Sequence, residues 1–503
     1  HFIGENSLVF TSEQNMAPIL DVNAKQKNSS LIQVHWADGL QITDDIRSLY
    51  PYQEHPANIA LVCKMAQHIG LSKDYVYKET SARIIPDIGV LQHFEKAKVG
   101  KVEQSFINSM SANERLATLE NWQRLGIYDL NDNPKKQVIA LINNRNDRVA
   151  RSKVFADILS HDLRFDKIVV IGTNVDGFYS YFINALIERL DKIIANKDLE
   201  EFNKLLSQFN FLTEEQLIAR LSDAYDLTLA NKLIKLNGDS LKKSNINALL
   251  KDATGNSNEA EASAILQNLF VYQQRQTLEL LKQDIVNNSE KLKEVIVNTI
   301  KSNVVLHENS SLSADELTRS IAQLGLVNNH QVIVGMQNIK GAGLNYVYAW
   351  QQWQRINHTL EHLFDQQCTA KEFRTALTNL NMIVSFNRLE VATLKKHLST
   401  LKKMHLAQNE FCQAEITNLL EKLEAYSSED NIEKQQALPI QYLNQVVESF
   451  LDAGAAVKRK KRANQIYKDI ADQRITLEKA IKILGKLSRN QKSGWFANKS
   501  KPN

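Results

Sequence analysis

Polar and apolar positions change rhythm twice along this chain. In the first 190 residues, short β-branched and aromatic runs, Ser7–Thr11 and Leu31–Trp36, alternate with segments whose apolar positions recur every three or four residues. The pattern predicts a helix over Ala57–Ile69, a strand over Glu103–Asn108, and a helix over Asn113–Leu125 opened by an asparagine cap. A strand over Val138–Ile142, a helix over Val149–Leu159 and a strand over Ile168–Ile171, ended by Gly172, follow. Strand–helix–strand order with crossovers of this length implies a parallel sheet covered by helices. Ligands of such sheets sit beyond the carboxyl ends of the strands. Those ends are where Asn108, Asn143 to Arg148, and Thr173–Asn174 fall.

From about Gly177 to Asn329 the rhythm is helical, as in Glu214–Tyr225, Ala260–Leu281 and Ala314–Leu324. Gln331-Val-Ile-Val-Gly335 then returns as one more strand, followed by Met336-Gln-Asn-Ile-Lys-Gly-Ala-Gly343. Residues 177–330 therefore read as a helical insertion between two neighbouring strands, with Ile168–Ile171 and Val332–Val334 expected to pair in parallel. After residue 343 the pattern is helical to about Ser488, and Val391, Leu394, Leu398 and Leu401 follow a short heptad seam. The tail 491–503, with Gly, Ser, Asn, Lys and Pro, is expected to be disordered. The fold class is thus an α/β core, a parallel sheet with flanking helices, carrying a large helical insertion and a helical C-terminal extension.

Composition narrows the function classes. A length of 503 residues allows two to four domains, and 43% hydrophobic with 23% charged residues fits a globular chain. Sixty-one basic against 57 acidic residues leave a net charge of only +4, so no global field argues for nucleic acid. Seventeen glycines and seven prolines are few, which favours long helices. Three distant cysteines, Cys63, Cys368 and Cys412, fit a reducing cytosol and no disulfide framework. No apolar run approaches 18 residues. The chain opens at His1 and enters a strand almost at once, which reads as a fragment or a processed product.

Four constellations carry candidate chemistry. Pro56-Ala-Asn58 opens a helix, where an asparagine is ordinarily a cap. Asn108-Ser-Met-Ser-Ala-Asn113 joins a strand end to a helix start, which presents free backbone N–H groups; a plain strand-to-helix loop reads the same way. Asn143-Asn-Arg145-Asn-Asp147-Arg148-Val-Ala-Arg151 puts three arginines around one aspartate at a strand's carboxyl end. Guanidinium groups present a fixed fork that matches carboxylate or phosphate oxygens, so this is a candidate anion site; the alternative is a surface ion pair at a helix start. Thr173–Asn174 and Asn338 stand at two further strand ends and could line a cleft or form ordinary turns. Two more motifs point elsewhere. His358-Thr-Leu-Glu361-His362 places two histidines on one helix face, as in a zinc site, but no third-ligand motif follows, so no metal ligand is assigned. Lys458-Arg-Lys-Lys-Arg462 reads as a solvated basic turn.

In this order and spacing, the four constellations and the strand Lys167-Ile-Val-Val-Ile-Gly172 resemble the second half of a Mur-ligase-type ATP-dependent amide ligase. They resemble most the ligase subunit of capsular poly-γ-glutamate synthases. The resemblance covers roughly 1–176 and 331–343. It implies residues 1–90 as the end of a central ATPase domain and 91–176 plus 331–343 as the ligase C-terminal α/β domain. The helical insertion 177–330 and the helical extension 344–490 lie outside it. It further implies ATP and Mg²⁺ as cofactors, with Asn58, Asn108 and Asn113 holding the nucleotide and Asn58 facing the adenine. Arg148, Asp147, Arg145 and Arg151 would be catalytic, and Thr173, Asn174 and Asn338 would bind the amine substrate. The implied partners are a small amino acid or growing γ-glutamyl chain and membrane-bound synthase subunits, with no nucleic acid. The implied location is cytoplasmic, at the inner face of the membrane. The sequence departs from the family at three points. There is no Gly-x-x-x-x-Gly-Lys-Ser/Thr loop, so the cradle for the β- and γ-phosphates is missing and the chain reads as lacking its upstream part. Gln92 stands where the family has an arginine, and Gln337 where it has a glycine. These departures keep open a second reading, a degenerate ligase core serving as a helical interaction or scaffold protein.

Overall fold

A computed structural model describes residues 3–427 apart from 85, 256–258, 310–311 and 383–390, together with the single position 483. The chain divides into two compact units, the second beginning at Phe94. The basic run 458–462 and the tail 491–503 lie outside the described residues.

In the first unit, β1 (Leu8–Thr11) and β2 (Ser30–Gln33) pair in parallel, Leu8 opposite Ser30 and Thr11 opposite Gln33, with α1 (Ala17–Gln26) as the crossover. Then come α2 (Trp36–Leu40), α3 (Asp44–Ser48), α4 (Pro56–His68) and α5 (Lys73–Arg83). Val34, Ile42, Tyr50, Ile59 and Ala60 form the core. The strand expected to run to Trp36 stops at Gln33. Asp38 Oδ2 accepts the His35 N–H at 2.8 Å, and that reciprocal cap starts a helix at Trp36.

The second unit is built on a six-stranded sheet. Its strands are β3 (Gln92–Val99), β4 (Val102–Asn108), β5 (Lys136–Asn144), β6 (Lys167–Gly172), β7 (Val304–Leu306) and β8 (His330–Met336), in the spatial order β3-β4-β8-β5-β6-β7. The pairs from β4 to β7 are parallel. β3 and β4 are joined by Gly100 and Lys101 alone, a connection only an antiparallel hairpin permits, and Gly100 takes the positive φ of the turn. The helices of the α/β part are α6 (Arg115–Arg124), α7 (Ile127–Leu130), α8 (Val149–His161) and α9 (Val175–Asn196).

Direct pairing of Ile168–Ile171 with Val332–Val334 does not occur. β8 enters between β4 and β5, with Val332 opposite both Ser105 and Val138, and β5 separates it from β6. The physical reason is burial. Gln331 to Met336 are buried throughout, and a strand buried along its whole length belongs in the middle of a helix-covered sheet. The strands on either side of the 177–330 stretch are thus members of one sheet but not neighbours. Nor is that stretch wholly helical. It runs through α10 (Leu199–Gln208), α11 (Glu214–Ala224), α12 (Leu227–Ile234), α13 (Lys243–Thr254), α14 (Glu259–Leu281) and α15 (Ser289–Lys301), then adds β7 beside β6 before α16 (Ala314–Ala322). Leu217, Leu221, Leu229, Leu233, Ile246, Leu250, Ile265 and Leu269 form a separate apolar cluster between α11 and α14. The helices pack on one another, as their apolar spacing requires.

After β8 come α17 (Ala342–Phe364), α18 (Ala370–Met382), α19 (Val391–Leu401) and α20 (Glu410–Ser427). Tyr346 and Trp350 of α17 lie on the sheet against Phe106, with ring centroids 5.0 and 6.0 Å away. The heptad positions Leu394, Leu398 and Leu401 are buried. Among the described residues no helix is long and apolar enough to cross a membrane.

One buried polar group sits at the amino ends of the strands. Asp166 accepts the Val138 N–H at 2.7 Å and pairs with Arg220 at 2.7 Å, and Lys167 Nζ donates to Asn303 Oδ1 at 2.6 Å. Burial pushes the Lys167 amine down to about 7, with Asp166 opposing the shift and Arg220 adding to it. An unfolded lysine keeps its proton to about 10.4. Between these values the unfolded chain binds a proton the folded chain has released, so stability rises as pH is raised from about 7 to about 10. Lys167→Met is expected to remove that rise and to be at least as stable as the parent at pH 7, because Gln267 still donates to Asn303 Oδ1 at 3.0 Å. Urea unfolding of both proteins at the two ends of this range checks it; parallel pH curves for the two would refute the assignment.

Candidate functional site

The carboxyl ends of β5, β6 and β8 meet in a polar layer built largely from side-chain amides. β5 is apolar from Val138 to Ile142 and then ends in Asn143 and Asn144, both 1% exposed. Buried amides must find partners, and these two latch the neighbouring loops. Asn143 Nδ2 donates to the carbonyls of Asn338 and Lys340 at 2.8 and 2.6 Å, and Asn338 Nδ2 returns a bond to the Asn143 carbonyl at 3.0 Å. Asn144 Nδ2 donates to the carbonyls of Thr173 and Asn174, each at 2.9 Å. Its Oδ1 accepts from Ser152 Oγ at 2.6 Å and Gln337 Nε2 at 2.8 Å. One pair of asparagines thus fixes the loops after β6 and β8 against the start of α8.

Two glycines make the approach possible. A Cβ on Gly172 would meet the Asn144 carbonyl oxygen, and one on Gly343 would meet the Asn143 side chain. Gly172 also has φ +96°. Asn174 and Gln337 take positive φ values of 55° and 81° without being glycine, and Gln337 is fully buried with no partner on its Oε1 among the described residues. Left-handed backbone at a bulky residue is costly and persists only where the surroundings enforce it. Here the Gln337 amide donates to Asn144 and to Ser152 Oγ, the latter at 3.2 Å. Gln337→Ala is expected to cost about 2–4 kcal/mol, through the lost bonds and the vacated volume. Gln337→Gly should recover about 1 kcal/mol of that by relieving the backbone, the reverse of the usual order of these two residues. Denaturation midpoints of the two variants decide this: an Ala variant more stable than the Gly variant would show that residue 337 carries no backbone strain.

The arginine cluster lies over this layer. Arg145 forks onto Asp147, Nε to Oδ1 at 2.9 Å and Nη2 to Oδ2 at 2.7 Å. That hydrogen bond is the main reason the Asp147 carboxyl is held below the usual range. Arg148 caps α8 with its backbone; its side chain is half exposed and its Nε is 3.7 Å from the same carboxylate. Arg151, one turn into α8, donates to the Gln337 carbonyl at 3.2 Å and to Asn338 Oδ1 at 2.7 Å. Burial, and then the charges of Arg148 and Arg145, hold the Arg151 guanidinium below its ordinary pKa. Two guanidiniums lie on the Asp147 carboxylate and a third, Arg151, feels its charge, an excess of positive charge that an anionic oxygen would relieve.

Two further candidates, Thr173 and Asn338, bond directly to this cluster. Thr173 and Asn174 are exposed on the loop after β6, and Thr173 Oγ1 accepts the Asn146 N–H at 3.0 Å, inside the arginine loop. Asn338 is part of the latch, its Oδ1 spent on Arg151. Asn108 is buried at the end of β4, with its Oδ1 accepting the Met110 N–H at 3.4 Å. Asn113 is exposed and does not cap a helix: α6 begins at Arg115 behind Glu114, whose φ of −142° and ψ of 167° keep the chain extended past Asn113. The Ala112 N–H turns back to the Ser109 carbonyl at 3.2 Å, so the tight turn is made before Asn113 is reached. Asn58 belongs to the first unit; it is exposed on α4, bonded to Glu54 at 2.8 Å, and the cap of that helix is His55. Gln92 opens β3. Asn144, Ser152 and Gln337, which hold the layer together, were not among the sequence candidates. The one signal in the sequence was the polar pair Asn143-Asn144 terminating an otherwise apolar strand. His358 and His362 do share α17, and His362 lies beside Cys368 and Glu372.

Residues 94–234 match the family described as poly-gamma-glutamate synthase CapB C-terminal domain. The match begins where the second compact unit begins and includes β4, β5, β6 and the arginine cluster, but neither β8 nor the first unit. It covers less than half of the chain. No curated protein and no solved structure matches the chain.

Proposed function

We propose that this chain is part of a Mur-type ATP-dependent carboxylate–amine ligase that forms γ-glutamyl or related envelope peptide bonds. The match of residues 94–234 to a poly-gamma-glutamate synthase domain supports the product class. The observation that carries the reading is the arginine cluster at the carboxyl ends of parallel strands. Arg145 is fixed by Asp147, Arg151 by the loop after β8, and Arg148 reaches outward between them. Guanidinium groups oriented before the reaction stabilise charge as it develops on an oxygen, without reorganising at the moment it appears. Arg148 and Arg151 would bind the oxyanion of the carboxylate under attack, and Asp147 would keep Arg145 aligned. Thr173 and Asn174 would border the path of the incoming amine.

ATP would supply the phosphoryl group that activates the substrate carboxylate. The arginine donor set suits an anionic oxygen, and Asn58, Asn108 and Asn113 would hold the rest of the nucleotide. Mg²⁺ would arrive with the phosphates, since the one carboxylate of the cluster is already held by Arg145. The 503 residues hold no phosphate-binding loop, so that loop would come from polypeptide outside them. We place the protein in the cytoplasm at the inner face of the membrane, working with membrane-bound synthase subunits on an amino acid or a growing γ-glutamyl chain.

The test is isotopic. Glutamate labelled with ¹⁸O in its carboxylates, ATP and an amine acceptor are supplied to the ligase that includes these residues. The expected result is ADP together with inorganic phosphate carrying ¹⁸O, the mark of an acyl phosphate. Release of AMP and pyrophosphate, or amide formation without label in phosphate, would overturn the mechanism. The 503-residue chain alone is expected to turn over no ATP.

A further inference from the structure

The opposite end of α17 carries a different constellation. The helix stops at Phe364, and the chain turns through Asp365 to Thr369 into α18. Asp365 builds that turn: its carbonyl accepts the Cys368 N–H at 3.1 Å and its Oδ1 the Gln367 N–H at 2.9 Å. The turn sets His362, in the last turn of α17, beside Cys368 and beside Glu372, in the first turn of α18. One ligand atom from each of the three lies within 4.8 Å of the others.

The distances suit a small tetrahedral ion. His362 Nε2 and Cys368 Sγ are 4.0 Å apart. Two such atoms bound to one Zn²⁺, at about 2.3 Å for sulfur and about 2.0 Å for nitrogen, stand roughly 3.5 Å from each other, so closure asks for about half an ångström. Glu372 uses Oε2 to close the cap of α18, accepting from Thr369 N and Oγ1 at 2.9 and 2.6 Å. That bond orients the carboxylate, as outer hydrogen bonds do for metal ligands. Cys368 is a buried free thiol whose sulfur approaches the His362 ring and, at 3.7 Å, the carbonyl of Thr369. A thiol, an imidazole and a carboxylate together select a borderline-soft ion; Mg²⁺ and Ca²⁺ want oxygen alone.

We propose that His362 Nε2, Cys368 Sγ and the Glu372 carboxylate bind one Zn²⁺, with the fourth position filled from outside the protein. The ion clasps α17 to α18. Since the first turn of α17 holds Gly343 against Asn143 of the polar layer, the clasp fixes the far end of the helix that borders the candidate site. The proposal stands apart from the ligase reading, and its test needs no activity. It also differs from the helical pair His358–His362: the third dimension brings in Cys368 and Glu372, and His358 takes no part.

The experiment uses the full chain, stripped with a chelator and shown folded by circular dichroism. Titration with Zn²⁺ is expected to give one tight ion per chain and a higher thermal midpoint. Co²⁺ in its place should give the near-ultraviolet absorption of a thiolate–cobalt bond. Cys368→Ser should abolish that band and weaken Zn²⁺ binding at least about 10-fold, on the scale of lost ligand-sphere contacts. His362→Gln should weaken binding similarly, while His358→Ala should leave it unchanged. A folded parent chain that binds no stoichiometric zinc overturns the proposal. So does equal affinity in Cys368→Ser, or loss of binding in His358→Ala.

Discussion

Arg148→Ala is expected to lower the rate of amide formation about 10²-fold or more, measured on the ligase that carries both these residues and a phosphate-binding loop. The magnitude is that of removing one preoriented donor from a developing oxyanion. The loss should fall on kcat more than on KM, because the half-exposed Arg148 side chain, 3.7 Å from Asp147, holds little that a ground-state ligand needs. Arg148→Lys should recover little, since an ammonium cannot reproduce the bidentate fork. Arg145→Ala should cost less, because its fork is already committed to Asp147. Steady-state kinetics of the three variants checks the order. Parent rates in Arg148→Ala would reduce the cluster to a surface ion pair.

The second large effect is on stability. Gly172→Ala should destabilise the second unit by about 3–5 kcal/mol. Two costs add. Alanine at φ +96° is strained by about 1–2 kcal/mol. The new Cβ would also press on the Asn144 carbonyl and lie 2.7 Å from Asn143 Oδ1. Neither neighbour can yield: Asn144 is bonded to Thr173, Asn174, Ser152 and Gln337, and Asn143 to the loop after β8. Gly100→Ala is the control, since its Cβ would meet nothing within 4 Å among the described residues and only the backbone term of about 1 kcal/mol remains. Equal losses in the two variants would mean that the polar layer adapts and holds no fixed geometry.

What the sequence determined by itself is local. Short β-branched runs flanked by helical spacing favour strands by their length and branching, so β4, β5, β6 and β8 were legible to within two residues, as were α4, α8 and α11. The clustering of arginines around Asp147 at a strand's end was legible because spacing and place are both properties of the chain. What the tertiary structure decided is which distant segments meet. β8 lies between β4 and β5 because a strand buried along its length needs neighbours on both sides, and nothing in 331–336 says which neighbours. β3 and β7 were missed because edge strands bury too little for a clear pattern: β3 shows only Phe94, Ala97 and Val99 to the core. Asn144 could not be told from a turn asparagine until Gln337, 193 positions later, was seen donating to it. His362 likewise acquired Cys368 and Glu372 only when the chain turned back at Asp365, because a helix face offers i and i+4 and a corner offers whatever the turn brings round.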